Sequence, residues 1–274
     1  MVTKNITLGR NETKLLFTLE SENQAIFSFK DAKRIIGTSD SSTWGTLYGL
    51  KKKKRIKQIQ KGLYLLSPAR SGIKGEWTEH IFKILPKLLG DKYYVGFWSA
   101  LSYWGASEQI PRVTFIIITE RKRNLTFDGQ QIKFVTYPKE RFFGYVLEKI
   151  DETGFNISTP EKTIIDSLTH PEYSGGVSEI SKAIWTARER LSIVQMVDYA
   201  KKMGIRAVGL RLGYLLELLG FSKDMYESLL PNEHTGAPWL DPSATKKYSQ
   251  YSTRWGLRLN VPQRTILYWK LVPT

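Results

Sequence analysis

The chain has 274 residues, with 41 Lys and Arg against 26 Asp and Glu, and its formal net charge of +15 calls for an anionic partner, nucleic acid first and an anionic membrane surface next, or for a reason to tolerate self-repulsion. Hydrophobic residues at 41 % and aromatics at 12 % exclude wholesale disorder, and the absence of cysteine excludes disulfides, thiolate chemistry and Cys-bearing zinc fingers. No apolar run approaches the roughly 20 residues of a membrane span, and MVTKNITLGRNETK holds no apolar signal core, so a cytoplasmic protein without a membrane partner is expected.

Asn11 to Glu22 reads as an opening helix with Leu15, Leu16 and Leu19 on its apolar side. Ser28 is placed to cap a second helix, with Asp31 as the acidic half of a capping box and Gly37 as its end. Ala32, Ile35 and Ile36 fall on one face of it. A third helix starts at Thr38 or Ser39. Trp44, Leu47 and Tyr48 recur at helical spacing there, which predicts them inside and Ser42, Thr43, Gly45, Thr46 and Gly49 outside. Such a small, hydroxyl-rich face can approach DNA closely.

The third helix runs into Lys51-Lys52-Lys53-Lys54-Arg55, and seven of residues 51–61 are Lys or Arg. Residues 56–60 and 63–66 read as a hairpin turning at Lys61-Gly62. Two helices, a basic corner and a hairpin make a winged helix-turn-helix, expected over 1–70. A charge run is ordinarily a solvated face. This one continues a candidate recognition helix into a wing, which points to DNA. Ser42, Thr43 and Thr46 would read the major groove. Lys52, Lys53, Lys54 and Arg55 would hold phosphate, and Lys57, Gln58, Gln60 and Lys61 would form the wing.

Ser67 to Gly72 reads as a linker, followed over 75–274 by a larger α+β domain with a helical C-terminal part. A helix over Glu76 to Leu89 opens it. Val113 to Thr119 is continuous and β-branched, hence a central strand, and Asp128-Gly129 turns a hairpin. With Tyr145 to Ile150 and Phe155 to Ile157 these give a mixed sheet over about 93–157. Thr159-Pro160-Glu161 opens the first of several helices over about 159–230, and an extended tail is expected over 250–272.

Several segments, in order, resemble the AbiEi antitoxins and related transcriptional regulators of defence loci. They are the winged helix ending in KGLYL, YYVGFWSALSYWGASEQIP, FFGYVLEKI, STPEKTIIDSL, RLGYLLELLG and RWGLRLNVP. The resemblance implies a sequence-specific repressor and antitoxin of a toxin-antitoxin system in phage defence. Such a protein binds double-stranded DNA at its own promoter, autoregulates the operon and counteracts a nucleotidyltransferase-like toxin without a stable complex. The four-lysine run is more basic than that family leads one to expect.

No cofactor, metal or catalytic constellation is expected. His80, His170 and His234 lack metal-ligand spacing, and there is no Gly-rich phosphate loop or nucleophile turn. The alternative is a winged-helix-targeted, Mg-dependent DNA nuclease. It rests on Glu120-Arg121-Lys122 after the strongest strand, with Asp91 or Glu108 as an upstream acid. Glu161 and Asp166 read as a helix-start acid and a polar residue fixing a neighbouring loop.

Overall fold

The structure, a computed structural model, describes residues 7–72, 78–232, 236–247 and 250–270. It is an α+β protein that divides into two compact units, Met1–Gly90 and Asp91–Thr274.

The first unit begins with α1 (Arg10–Ser21), which buries Leu15, Leu16 and Leu19. β1 (Ile26–Ser28) leads into α2 (Phe29–Ile36). Here the capping box forms: the Ser28 hydroxyl accepts from the Asp31 amide at 3.2 Å, and the Asp31 carboxylate accepts from the Ser28 amide at 2.8 Å. Burial alone would raise the Asp31 carboxyl. The Ser28 bonds, with the positive charges of Lys87 and Arg34, outweigh it and hold the carboxyl below its ordinary value. Gly37 ends α2 with φ +76°, a conformation glycine adopts without strain.

Next come α3 (Asp40–Lys52), β2 (Ile56–Gln60) and β3 (Leu63–Leu66). The three strands form an antiparallel sheet in the order β1-β3-β2. Lys61 and Gly62 make the β2–β3 turn, with Gly62 at φ +78°, and a bulge lies between Gln58 and Gln60. Leu15, Leu19, Phe27, Ile35, Leu47 and Leu50 meet in the core.

Two expectations change here. Ser67 to Gly72 is not a loose linker, because the Arg55 side chain holds it against the first unit. The helix expected from Glu76 is described as α4, Ile81–Leu89; residues 76 and 77 lie outside the described segments. It packs on β1, so the division between units falls at Gly90 rather than near 70–75.

The second unit holds β4 (Tyr93–Val95), α5 (Phe97–Tyr103), β5 (Val113–Ile118), β6 (Leu125–Phe127), β7 (Gln130–Thr136), β8 (Tyr145–Ile150) and β9 (Thr153–Ser158). The six strands form one mixed sheet in the order β6-β7-β5-β4-β9-β8. β5 is interior, parallel to β7 and antiparallel to β4, as its apolar run predicts. Asp128 and Gly129 both take positive φ in the β6–β7 turn. β8 forms one margin of the sheet, and Tyr145, Val146 and Leu147 are exposed on it, Leu147 by 67 %.

α6 (Pro160–Thr169) follows, then α7 (Gly176–Ala187), α8 (Ile193–Met203) and α9 (Arg206–Leu219). The residues from Glu161 to Leu168 are all buried, so α6 is enclosed on every side. On α9, an added Cβ at Gly213 would lie 2.1 Å from the buried Trp255 ring.

The tail is only partly extended. β10 (Gln250–Ser252) pairs with β11 (Leu257–Leu259), and then α10 (Gln263–Ile266) and a 3-10 turn at Tyr268–Lys270 replace the expected strand. Pro262 starts that helical turn, and Ile266 is the residue it buries.

Candidate nucleic-acid interface

Ser39 caps α3, accepting from the Ser42 amide at 3.3 Å. The helix is rotated from the expected orientation. Thr43, Thr46, Leu47 and Leu50 face inward, whereas Ser41, Ser42, Trp44, Gly45 and Tyr48 face out. Thr43 is 0 % and Thr46 9 % exposed, while Trp44 is 43 % and Tyr48 69 % exposed. Burial is tolerated because each threonine hydroxyl satisfies itself locally. Thr43 donates to the Ser39 carbonyl and Thr46 to the Ser42 carbonyl, both at 2.9 Å. Their methyl groups then pack as small apolar side chains. Thr43 and Thr46 are therefore removed from the DNA-reading set, and Ser42 stays on the outer face. Trp44 is held by stacking on Phe29, with centroids 4.3 Å apart.

The basic corner also divides. Arg55 is buried, and its guanidinium donates to the carbonyls of Gly72 at 2.7 Å, Pro68 at 3.1 Å and Ser67 at 3.2 Å. It is a structural clamp and not a phosphate ligand. Lys53 bonds the Glu12 carboxylate at 2.5 Å, tying the end of α3 to α1. Lys52, Lys54 and Lys61 are exposed, and Lys57 is half-buried. Lys51 donates to the Gln58 side chain at 2.8 Å, which fastens the end of the helix to the hairpin. The helix face and the exposed side chains of Gln58, Gln60 and Lys61 are thereby parts of one unit. Sequence reasoning missed Trp44 and Tyr48 as surface residues and left Lys51 out of the binding set. The missed signal was the set 43, 46, 47, 50 at i, i+3, i+4, i+7, visible once threonine is counted among inward-facing residues.

No protein-family model matches this chain, and no curated protein resembles it in sequence. Among solved structures it is similar to the crystal structure of the RV2827C protein from Mycobacterium tuberculosis. The TM-score is 0.72 at 14 % identity, over 98 % of this chain and 97 % of that one. A likeness at that identity establishes a shared fold.

In the second unit Arg121, Lys122 and Arg123 line an open groove of about 610 Å³ with Asn124, Phe134 and Thr136. The Asn124 side chain accepts from the Phe134 amide at 3.0 Å, and the Lys122 ammonium lies 5.7 Å from the Phe134 ring. Glu120 and Lys122 follow β5. The antiparallel register that sets Tyr93 against Ile118 brings Asp91 to the same end of the sheet. Glu108 instead pairs with Lys182 at 3.2 Å. Among the described residues no three acidic or imidazole side chains cluster as a metal site. His80 accepts from the Phe82 amide and His170 meets Glu172, while His234 lies outside the described residues.

The remaining singled-out residues hold the interior together. Glu161 accepts from the Ser192 amide at 3.1 Å. Lys162 and Asp166, both fully buried, pair one helical turn apart. Tyr94 donates to Asp166 at 3.2 Å and accepts from Lys162 at 3.1 Å. Desolvation lowers the Lys162 ammonium and raises the Asp166 carboxyl, and their mutual attraction opposes both. Arg211 donates to the Leu168 carbonyl at 2.7 Å and to that of Trp239. Among the described residues no helix is long and apolar enough to cross a membrane.

Proposed function

We propose that the first unit is a winged helix-turn-helix and that the chain is a sequence-specific DNA-binding repressor and antitoxin. The observation that carries this reading is the uncovered face of α3, joined through Lys51 and Gln58 to the β2–β3 hairpin. α2 and α3 form the helix-turn-helix, and the hairpin is the wing. Ser41, Ser42, Gly45 and Tyr48 enter the major groove. Lys52, Lys54 and Lys61 meet phosphates, with Gln58 and Gln60 beside them. The net charge of +15 supports an extended phosphate contact.

The antitoxin role rests on the resemblance to AbiEi antitoxins. On this reading the cytoplasmic protein represses its own promoter and counteracts a nucleotidyltransferase-like toxin without a stable complex. The deciding experiment is a gel shift of DNA from upstream of its own gene against random duplex over a salt series. Selective retention of the upstream DNA at moderate salt is the expected result. Equal binding to both would overturn sequence-specific repression, and Mg²⁺-dependent cleavage abolished by Glu120→Ala would establish the nuclease instead. Co-expression with the companion toxin tests the second half: growth must be restored by the full chain.

A further inference from the structure

Between α5, α6 and the end of α7 lies a chamber of about 180 Å³. Its walls are Leu101, Ala106, Ile164, Ala187 and Leu191, all buried, with Trp104 and Arg190 at the rim. The polar groups nearest the wall are already engaged. The Thr163 hydroxyl donates to the Thr159 carbonyl at 2.8 Å and meets the Ser158 hydroxyl, and the Trp104 indole donates to the Ser158 carbonyl at 2.8 Å. Water needs two to four polar partners to occupy a cavity, and the buried part of this wall, away from Arg190 at the rim, supplies none of them. An apolar cavity of about 150 Å³ takes up a benzene ring.

The one charged group on the lining is Arg190. Its Nη2 donates to the Trp104 carbonyl at 3.2 Å, which holds the guanidinium at the rim. Its Nε and Nη1 make no hydrogen bond to any described residue. A guanidinium grips a carboxylate through its Nε/Nη2 edge or its Nη1/Nη2 edge, and a carbonyl held by one Nη2 proton leaves one of these edges open.

We propose that this chamber binds a small monocyclic carboxylate, its ring inside and its carboxylate on Arg190. The volume accommodates one ring with a short substituent and rejects fused bicyclic acids. The site is independent of the DNA-binding reading, since every residue it uses lies in the second unit.

The test is a titration of the full chain, ¹³C-labelled at Ile and Leu methyls, with benzoate and with its neutral isostere benzamide. Benzoate is expected to shift the methyls of Leu101, Ile164 and Leu191, with an affinity about tenfold above that of benzamide. Arg190→Gln, a change at an exposed residue, should bring benzoate down to the benzamide level. Ala187→Leu should fill the chamber and abolish both. If Ala187→Leu fails to fold, Arg190→Gln carries the test alone. No methyl shift at about 20 mM benzoate, shifts confined to other methyls, or unchanged benzoate affinity in Arg190→Gln would each overturn the proposal.

Discussion

Arg55 Nη1 donates to the carbonyl of Gly72 at 2.7 Å, so a residue within the lysine run holds the segment that follows β3. Its other two bonds reach Ser67 and Pro68. Arg55→Ala should therefore destabilise the first unit by about 2 kcal/mol, the range for hydrogen bonds to a charged donor, since the buried Ser67 carbonyl is left unmet. Urea unfolding measures this. The salt slope of DNA binding should stay as in the wild type. A slope reduced without loss of stability would return Arg55 to the phosphate-binding set.

The lysines beside it are expected to behave unequally. Lys52→Ala and Lys61→Ala should each reduce the salt slope by about 0.9, because both side chains are exposed. Lys53→Ala should change it less, since Glu12 already engages that ammonium. A larger slope change for Lys53 than for Lys52 would mean that the Glu12 pair opens on DNA.

The inward turn of Thr46 separates two variants. Thr46→Val keeps the packed methyl and should leave operator affinity intact. Tyr48→Ala removes an exposed ring from the helix face and should weaken operator binding by about tenfold relative to random duplex. Equal losses on both DNAs for Tyr48→Ala would rule out base recognition by that side chain.

Acid should loosen α2 first. Asp31's carboxyl sits below its ordinary value of 3.8, so its contribution is complete above that value and fades as pH falls through the lower folded value. Asp31→Asn should flatten the acid limb of first-unit stability. Ser28→Ala should cost about 1 kcal/mol at neutral pH. An unchanged acid limb in Asp31→Asn would contradict the capping role.

Gly213→Ala places a methyl where the Trp255 ring stands. The ring also donates to the Glu217 carboxylate, so it cannot move away without breaking that bond. A loss of about 1–3 kcal/mol is expected, together with a changed tryptophan emission. Wild-type stability and emission would show that the ring shifts at no cost.

The elements most legible in the sequence were those fixed by local chemistry. Ser28, Asp31 and Gly37 marked α2, and Asp128-Gly129 placed a turn whose φ values only a few residues accept. Val113 to Ile118 announced an interior strand by its unbroken apolar run. The site was harder to read because burial of α3 was decided by tertiary fit. Trp44 and Tyr48 are the larger apolar residues, yet the space against α1 and α2 takes Thr43 and Thr46. Arg55 failed for the same reason. A charge in a run of charges carries no mark saying that its guanidinium will be spent on three carbonyls 12 to 17 residues downstream.

On the DNA-binding proposal, the exposed β8 margin gives salt two opposite effects on this protein. Every second residue of this strand turns its backbone N–H and C=O away from β9 towards any strand that comes alongside, and Leu147 adds an apolar contact. The like charge of two copies opposes such a meeting, and its reach shortens as ions are added. The same ions weaken a protein–DNA complex. If the proposed DNA binding holds, raising the ionic strength frees the protein from DNA and also weakens the repulsion between copies. On that proposal, the salt that would strip nucleic acid from a preparation is also the salt at which β8 is least shielded from a second copy.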